Sequence, residues 1–277
     1  MLSIKIALEG VRTMRKIPVL AQLSILGMLS IASTPWAHAY STVLATDDIY
    51  MAGGQTVTGL LGVGTDPGGI SIGSGVTAFT FGVTGGVTDT ITLDENFNSH
   101  AGIWNDADGV GASPASSFNT GFGSISGITA PGAGYLVGVF IDASTWVPTT
   151  GTPGAGTALN FLTGSGPGTT GFTSLAPALD QTFYIGDGLT GDGVGTTQTF
   201  YVPSGATELY LGISDANGYG NNGNNGNPDA YGDNSGEYDV TATPEYGVVT
   251  PEPSSLLLFG TGILGMAGML RRKLRAK

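Results

Sequence analysis

Residues 198–215, QTFYVPSGATELYLGISD, decide the fold class of this chain. Two short runs rich in aromatic and aliphatic residues, 198–203 and 207–214, flank a turn with Pro, Ser and Gly, which is typical of two successive β-strands. Runs of the same kind recur at 76–83, 88–97, 134–141, 181–187 and 236–243. Helical i, i+3, i+4 spacing of apolar residues is scarce. We therefore expect an all-β sandwich or jelly roll with long Gly- and Asn-rich loops.

The charge distribution excludes several functions. The chain has 277 residues, no Cys and a formal net charge of −12, and between residues 40 and 250 it has no Lys or Arg. All Asp and Glu except Glu9 and Glu252 lie in that segment, so it repels phosphate and we expect no nucleic-acid binding. Because His100 is its single histidine and it has no Cys, Lys or Arg, its inventory of catalytic side chains is thin and we also expect no enzyme.

The N-terminus has the pattern of a secretory signal peptide. Met14, Arg15 and Lys16 precede the apolar run 17–32, and the segment ends in Ala-His-Ala at 37–39. A charged start, an apolar core and small residues at the end predict that residues 1–39 are removed by cleavage after Ala39. The chain is then exported across the inner membrane.

The C-terminus carries three features in a fixed order. Pro251, Glu252 and Pro253 precede an apolar segment at 256–270, and Arg271 and Arg272 begin a basic tail. The apolar length is close to that of one transmembrane helix, and the basic flank favours a cytoplasmic end. Together, residues 251–277 resemble the PEP-CTERM sorting signal. The resemblance implies an exosortase partner, processing near the motif, and a place in the envelope, outer surface or matrix of a Gram-negative bacterium; a permanent C-terminal anchor is the alternative.

The segment between the two ends divides in the sequence. Residues 40–85 are rich in Gly and Thr and read as N-terminal strands or a flexible lead-in. Residues 86–250 hold most of the strand-like runs and are expected to form the main β-sandwich.

Oxygen-bearing side chains cluster near two predicted strand ends. Asp215 follows the run 207–214, and Asp233 and Asn234 precede the run 236–243. If those two strands pair, the three side chains meet, and the main-chain carbonyl of Tyr231 can join them. Carboxylate, amide and carbonyl oxygens are the ligands of Ca²⁺. The alternative is a simple turn, because Asp-Asn-Ser-Gly is also good turn chemistry.

A family resemblance strengthens the calcium prediction. FYVPSGATELYLGISD at 200–215, an Asn-Gly loop, and AYGDNSGEYDVTAT at 230–243 resemble the PA-I-type galactophilic lectins. The resemblance implies a galactose-binding-like jelly roll in which one Ca²⁺, held by Asp215, Asp233, Asn234 and the carbonyl of Tyr231, bridges to sugar hydroxyls. The intervening loop is longer than in the lectins, so metal binding transfers better than sugar binding.

Sugar recognition also needs an apolar platform and a few oriented polar groups. Trp104, Trp146 and Tyr219 are candidate platforms, and His100 is a candidate ligand contact, although a place in the core is the more common role for a residue like Trp104 and a structural role is the more common one for a lone histidine. The leading hypothesis is an exported protein that binds glycans or exopolysaccharide with Ca²⁺ and without catalysis. A purely structural surface protein with calcium-ordered loops is the main alternative, and a carboxylate-based glycosidase is a third.

Overall fold

The computed structural model describes the residue ranges 38–57, 64–89, 103–109, 117–132, 134–151, 153–162, 170–215, 226–228, 231–247 and 271–274. Within these ranges no helix is both long and apolar enough to cross a membrane. Residues 271–274 form one exposed helical turn. The predicted span 256–270, the motif Pro251, Glu252 and Pro253, and the segment 1–37 lie outside the described residues.

The described chain is built from strands, which confirms the all-β prediction. The strands are β1 Ala39–Leu44, β2 Gly69–Ser71, β3 Val76–Asp89, β4 Ile103–Asn105, β5 Ser117–Phe122, β6 Ile125–Ala130, β7 Leu136–Ile141, β8 Leu159–Asn160, β9 Ser174–Leu175, β10 Phe183–Tyr184, β11 Leu189–Gly191, β12 Val194–Thr197, β13 Thr199–Tyr201, β14 Glu208–Ile213 and β15 Asn234–Tyr246. Two short 3-10 helices accompany them, Ile49–Gly54 and Tyr231–Asp233.

The strands form two principal sheets. The first has the order β1-β15-β3-β13-β9, with β4 paired to β3, and the second has the order β10-β7-β14-β2. Strands β5, β6 and β8 form a third, small sheet, and β11 pairs with β12 as a hairpin. The described fold therefore contains two small sheets in addition to the two principal ones.

Strand β7 lies in the middle of this arrangement. All six of its residues, LVGVFI, are buried. Leu136 and Phe140 pack with Phe79 and Phe81 of β3 in a core between the two principal sheets. Val137, Val139 and Ile141 pack on the opposite face in a second core with residues of the third sheet and of the first 3-10 helix. Covering on both faces explains why this strand is a continuous apolar run and does not alternate.

The core between the principal sheets is strongly aromatic. Phe140 and Phe183 stack with ring centroids 5.2 Å apart, and Phe200 meets Phe81 edge-on, also at 5.2 Å. Tyr238 of β15 is fully buried in the same core. Aromatic pairs of this kind stabilise a core beyond the area they bury, and the rings of Phe183 and Phe200, 5.5 Å apart, join the two principal sheets.

Two glycines let β3 and β15 approach each other closely. Gly85 and Gly236 both have φ of 101°. A Cβ at Gly85 would lie 2.4 Å from the carbonyl oxygen of Glu237, and a Cβ at Gly236 would lie 2.5 Å from that of Gly86. Because only glycine suits both the conformation and the space, this contact sets the register in which β15 begins at Asn234.

The structure corrects one premise of the sequence analysis. The predicted strands 207–214 and 236–243 do not pair: β14 pairs with β7 and β2, whereas β15 pairs with β1 and β3. Both are long strands with apolar inward faces, and these faces meet across the core, so each strand takes its hydrogen-bonded neighbours from its own sheet.

Strands β1 and β3 bear on the predicted segment boundaries. Strand β3 continues through residues 85 and 86, where the sequence suggested a division, and it pairs with β15 over nearly its whole length. Strand β1 begins at Ala39, which pairs with Ala242. The bond after Ala39 is therefore part of a strand in the folded chain, so the predicted cleavage at this bond would have to precede folding.

Candidate functional site

Asp215 lies directly beyond the end of β14 and is nearly buried. Its exposed fraction is 8%, and it follows Ser214, which is 3% exposed. Strand β14 carries it to this position because Ile213, the last strand residue, pairs with Leu136 at the start of β7. We call this end of the β7–β14 pair the tip. A carboxylate this far out of water requires partners.

The backbone of Asp215 is held on both sides. Its N–H donates to the hydroxyl of Tyr231 at 2.9 Å, and that hydroxyl donates to the carbonyl of Ile213 at 3.1 Å. The carbonyl of Asp215 accepts from the side-chain amide of Asn119 at 2.6 Å. The carboxylate is thus positioned by fixed groups from two other parts of the chain.

The side chain of Asn234 reaches the carboxylate of Asp215. Its Nδ2 donates to Oδ2 of Asp215 at 2.8 Å. Its Oδ1 is buried and has no hydrogen-bond partner among the described residues. Which amide atom faces a neighbour is decided by the hydrogen-bond network, and here one orientation satisfies Nδ2 while leaving an acceptor oxygen unused. The structure therefore joins the two predicted residues through a hydrogen bond, although their strands belong to different sheets.

Further acidic and phenolic groups surround the tip. Asp48 is fully buried, and its Oδ1 accepts the N–H of Tyr50 at 2.8 Å. The hydroxyl of Tyr50 is 3.0 Å from that of Ser214. Burial raises the pKa of Tyr231 well above its ordinary value, and the charge of Asp48 and then of Tyr50 and Asp215 raises it further. The Tyr231 hydroxyl therefore stays protonated and acts as a hydrogen-bonding group.

The side chain of Tyr231, which is fully buried, makes the contacts to Asp215 and Ile213. These contacts do not test the predicted role of its main-chain carbonyl as a calcium ligand, which stays a prediction. Asp233 ends the 3-10 helix immediately before Asn234, and its side chain lies outside the described residues. So do the side chain of Trp104 and the whole of His100 and Tyr219. Their predicted roles stay predictions.

The described residues do not contain a ready-made multi-carboxylate centre. Among them, no three Asp, Glu, His or Cys side chains converge as a metal-binding group. The donor set that they do bring together is one carboxylate, Asp215, and one amide, Asn234. Any cation here would need additional oxygens, from Asp233, main-chain carbonyls or ligand.

Sequence reasoning missed Asn119 and Asp48. Asn119 is 2% exposed and belongs to β5, and Asp48 caps the first 3-10 helix. Both lie far from residue 215 along the chain, and neither carries a local motif that indicates its partner. Aspartate is a common N-cap residue, so the residue type of Asp48 is compatible with capping. It does not predict that Asp48 lies close to Tyr231.

A second acidic group occupies the loop that follows β4. Oδ1 of Asp108 accepts from the hydroxyl of Tyr184 at 2.8 Å and from the N–H of Asp187 at 3.0 Å. Burial raises the pKa of Asp108 to about 6, against the lowering effect of these hydrogen bonds. Asp106 accepts the N–H of Asp108 at 3.1 Å. Residues 106–109 therefore form a hydrogen-bonded turn in which the carboxyl of Asp108 has a raised pKa.

The comparisons with known proteins concern only the C-terminal end. A family model described as the PEP-CTERM protein-sorting motif matches residues 249–273. No curated protein and no solved structure is significantly similar to the chain. The motif indicates an exported protein that an exosortase sorts and that is processed at the membrane.

Proposed function

We propose that this exported, exosortase-sorted protein binds Ca²⁺ at its tip and uses the bound ion to recognise glycans at the bacterial surface or in the surrounding matrix. The ligands on the protein are the carboxylate of Asp215, the amide oxygen of Asn234 and the side chain of Asp233. The protein performs no reaction on the glycan.

One observation carries the proposal: the buried, unused Oδ1 of Asn234 beside the carboxylate of Asp215. An unsatisfied buried acceptor costs about 1–3 kcal/mol. Turning the amide over would aim Oδ1 at the carboxylate, and two acceptors can face each other only when a cation lies between them. A Ca²⁺ ion between these two oxygens would bind both, and carboxylate and amide oxygens are of the type that Ca²⁺ prefers.

Charge complementarity supports the same conclusion. The segment 40–250 has no Lys or Arg, so no ammonium or guanidinium group competes with a metal ion for these oxygens. The neighbouring carboxylate of Asp48 adds negative charge to the tip. In the segment that carries the tip, compensation for this charge has to come from solution.

The glycan part of the proposal rests on the resemblance of the segments 200–215 and 230–243 to calcium-dependent lectins. When bound, Ca²⁺ supplies open coordination positions for sugar hydroxyls. A structural function is the second candidate, and the firm hold of Tyr231 and Asn119 on the backbone of Asp215 favours it. In that case the ion orders the tip and meets no sugar.

Thermal unfolding of the full-length protein, kept in a zwitterionic detergent without a sugar headgroup, tests the calcium site. At a calcium concentration of about 100 times the Kd, binding stabilises by about 2.7 kcal/mol, which raises Tm by about 5–10 °C for a domain of this size. EDTA should reverse the shift. Asp215→Ala and Asp233→Ala should remove it, whereas Glu237→Gln, which changes an exposed acid on β15, should keep it.

Glycan screening separates the two functions. Binding to an immobilised polysaccharide that EDTA abolishes, and that Asp215→Ala also abolishes, supports lectin activity. Calcium stabilisation without any glycan signal assigns the structural function. An EDTA response that is equal in wild type, Asp215→Ala and Asp233→Ala means that the tip is not the calcium site.

A further inference from the structure

A pocket of about 300 Å³ lies at the end of β7 opposite the tip. Strand β7 ends at Ile141, which pairs with Glu208 at the start of β14. The pocket wall includes Trp146 and the carboxylates Asp142 and Asp180, together with the hydroxyl groups of Ser124 and Thr149. Asp215 lies beyond the other end of the same strand pair, about 17 Å of extended strand away. The pocket is therefore separate from the proposed calcium site.

The indole ring of Trp146 is fixed in the pocket wall. Its Nε1–H donates to the carbonyl of Gly53 at 3.0 Å. Gly53 has φ of 69°, and a Cβ there would lie 2.5 Å from the indole nitrogen. The ring thus rests on a backbone segment that only glycine can form. A partly exposed ring held this way is a pre-organised surface for a ligand.

Asp180 is held in an unusual backbone conformation. It has φ of 61° and is the one non-glycine residue with positive φ among the described residues. Its N–H donates to the carbonyl of Phe140, and its carbonyl accepts from the N–H of Ser126, both at 2.9 Å. Strained residues that are fixed by their surroundings concentrate at functional sites. The carboxylate of Asp180 accepts no hydrogen bond from the described residues. The strained backbone conformation therefore does not serve an internal hydrogen bond of this carboxylate.

The two carboxylates of the pocket lack a counter-charge. Burial, and then the charge of Asp142, raises the pKa of Asp180. Asp142 itself accepts from the hydroxyl and N–H of Ser144 and from the hydroxyl of Thr145, and these bonds lower its pKa. No Lys or Arg exists between residues 40 and 250 to offset either charge. The pocket is consequently a negative site beside an aromatic face.

We infer that this pocket binds an organic ammonium group carried on a small hydroxylated frame, such as an amino-sugar unit. A cation over an indole face is attracted by the ring quadrupole, and Asp142 and Asp180 supply the opposite charge. The hydroxyls of Ser124 and Thr149, 2.9 Å apart, are placed to exchange hydrogen bonds with the frame. A metal ion fits less well, because hard cations need six or more oxygens and gain nothing from an indole ring.

Calorimetric titration of the full-length protein in EDTA, at slightly acidic pH, tests this site without the calcium site. D-glucosamine is the charged probe, and N-acetylglucosamine and glucose are neutral probes with the same ring. We expect glucosamine to bind and each neutral sugar to bind at least tenfold more weakly. Equal affinity for glucosamine and N-acetylglucosamine would overturn the assignment of an ammonium group.

Substitutions locate the binding. Asp180→Asn keeps the size and tolerates the positive φ, and it should weaken glucosamine at least tenfold without lowering Tm, since it removes a partly buried charge. Trp146→Ala should weaken it similarly, and Tyr201→Ala, which deletes a half-exposed ring elsewhere, should not. If Trp146→Ala unfolds, Asp180→Asn decides. Unchanged affinity in Asp180→Asn, or binding of Mg²⁺ or Ca²⁺ alone that Asp180→Asn abolishes, would overturn the proposal.

Because EDTA is present in every sugar titration, loss of the calcium function leaves the sugar affinities unaffected; only the Mg²⁺ and Ca²⁺ controls are run without it. Conversely, Asp215→Ala should bind glucosamine as wild type does. If wild type binds glucosamine and Asp215→Ala does not, the ammonium site lies at the tip, and this result would contradict the inference.

Discussion

The two ends of the β7–β14 strand pair hold an aspartate in opposite situations. At the tip, the N–H, carbonyl and carboxylate of Asp215 all have partners inside the protein. At the other end, the backbone of Asp180 is bonded on both sides, while its carboxylate accepts no hydrogen bond from the described residues. The tip places the amide of Asn234 beside a carboxylate, an arrangement that we propose as the metal site. The pocket places two carboxylates beside an indole, which suits an organic cation. We therefore propose two different cation sites on one anionic scaffold.

The hydroxyl of Tyr231 tests how firmly the tip is held, and its removal has the largest expected effect. Tyr231→Phe leaves the buried N–H of Asp215 and the carbonyl of Ile213 without this partner. We expect a loss of about 2–3 kcal/mol in the free energy of unfolding, measured by denaturant titration in EDTA. Tyr201→Phe, on a half-exposed tyrosine, should change it by less than about 0.5 kcal/mol. Equal effects of the two substitutions would contradict the tip geometry.

The pH dependence of stability is the next largest expected difference between the two ends of the β7–β14 pair. The pKa of Asp108, whose loop meets the start of β7, is raised to about 6 by burial, whereas the pKa of Asp142 at the other end is lowered. A raised carboxyl pKa means that the folded state holds more protons than the unfolded state, so stability falls as pH rises from about 4 to about 6. After allowance for its partial exposure, we expect Asp108 to contribute about 2 kcal/mol to this fall.

Asp108→Asn should flatten that profile. The asparagine Oδ1 can still accept from the Tyr184 hydroxyl and the Asp187 N–H, so the variant should match or exceed wild type above pH ~6. Denaturant unfolding over this pH range in EDTA measures the slope. A slope that is identical in wild type and Asp108→Asn would show that this carboxyl is not the group that titrates.

The sequence predicts the tip better than the pocket, and the reason is physical. Asp215 and Asn234 each stand next to a strand that hydrophobic pattern alone reveals, and strand ends collect at the rim of a sandwich. The predicted strand pairing is wrong, yet the two residues meet, because the end of β14 and the start of β15 lie at the same rim while the strands belong to facing sheets. The hydrophobic pattern therefore predicts where strands end more reliably than it predicts which strands pair.

The pocket depends on relations that no local pattern encodes. Trp146 is positioned by Gly53, and Asp180 by Phe140 and Ser126. Each contact joins residues distant in sequence, and the positive φ of Asp180 is imposed by those contacts, since its own neighbours Leu179 and Gln181 give no turn signal. The aromatic residue was a candidate from sequence, but its carboxylate companions were not recognisable.

The continuous burial of β7 shows the same limit at the level of the fold. The run 134–141 predicts a strand, but not the layers that cover it. A third sheet and a 3-10 helix pack on the face that a two-sheet sandwich would leave to solvent. Which face of an apolar strand is covered, and by what, depends on non-local contacts that periodicity does not contain.

The most direct test of calcium binding at the tip is a crystal structure of the exported protein grown in calcium, with an anomalous difference map. We expect an anomalous peak that marks an ion coordinated by the carboxylate of Asp215 and by Oδ1 of Asn234, with the amide turned over relative to the ion-free hydrogen bond. A tip that contains only water, in which Nδ2 of Asn234 still donates to Asp215, would contradict it.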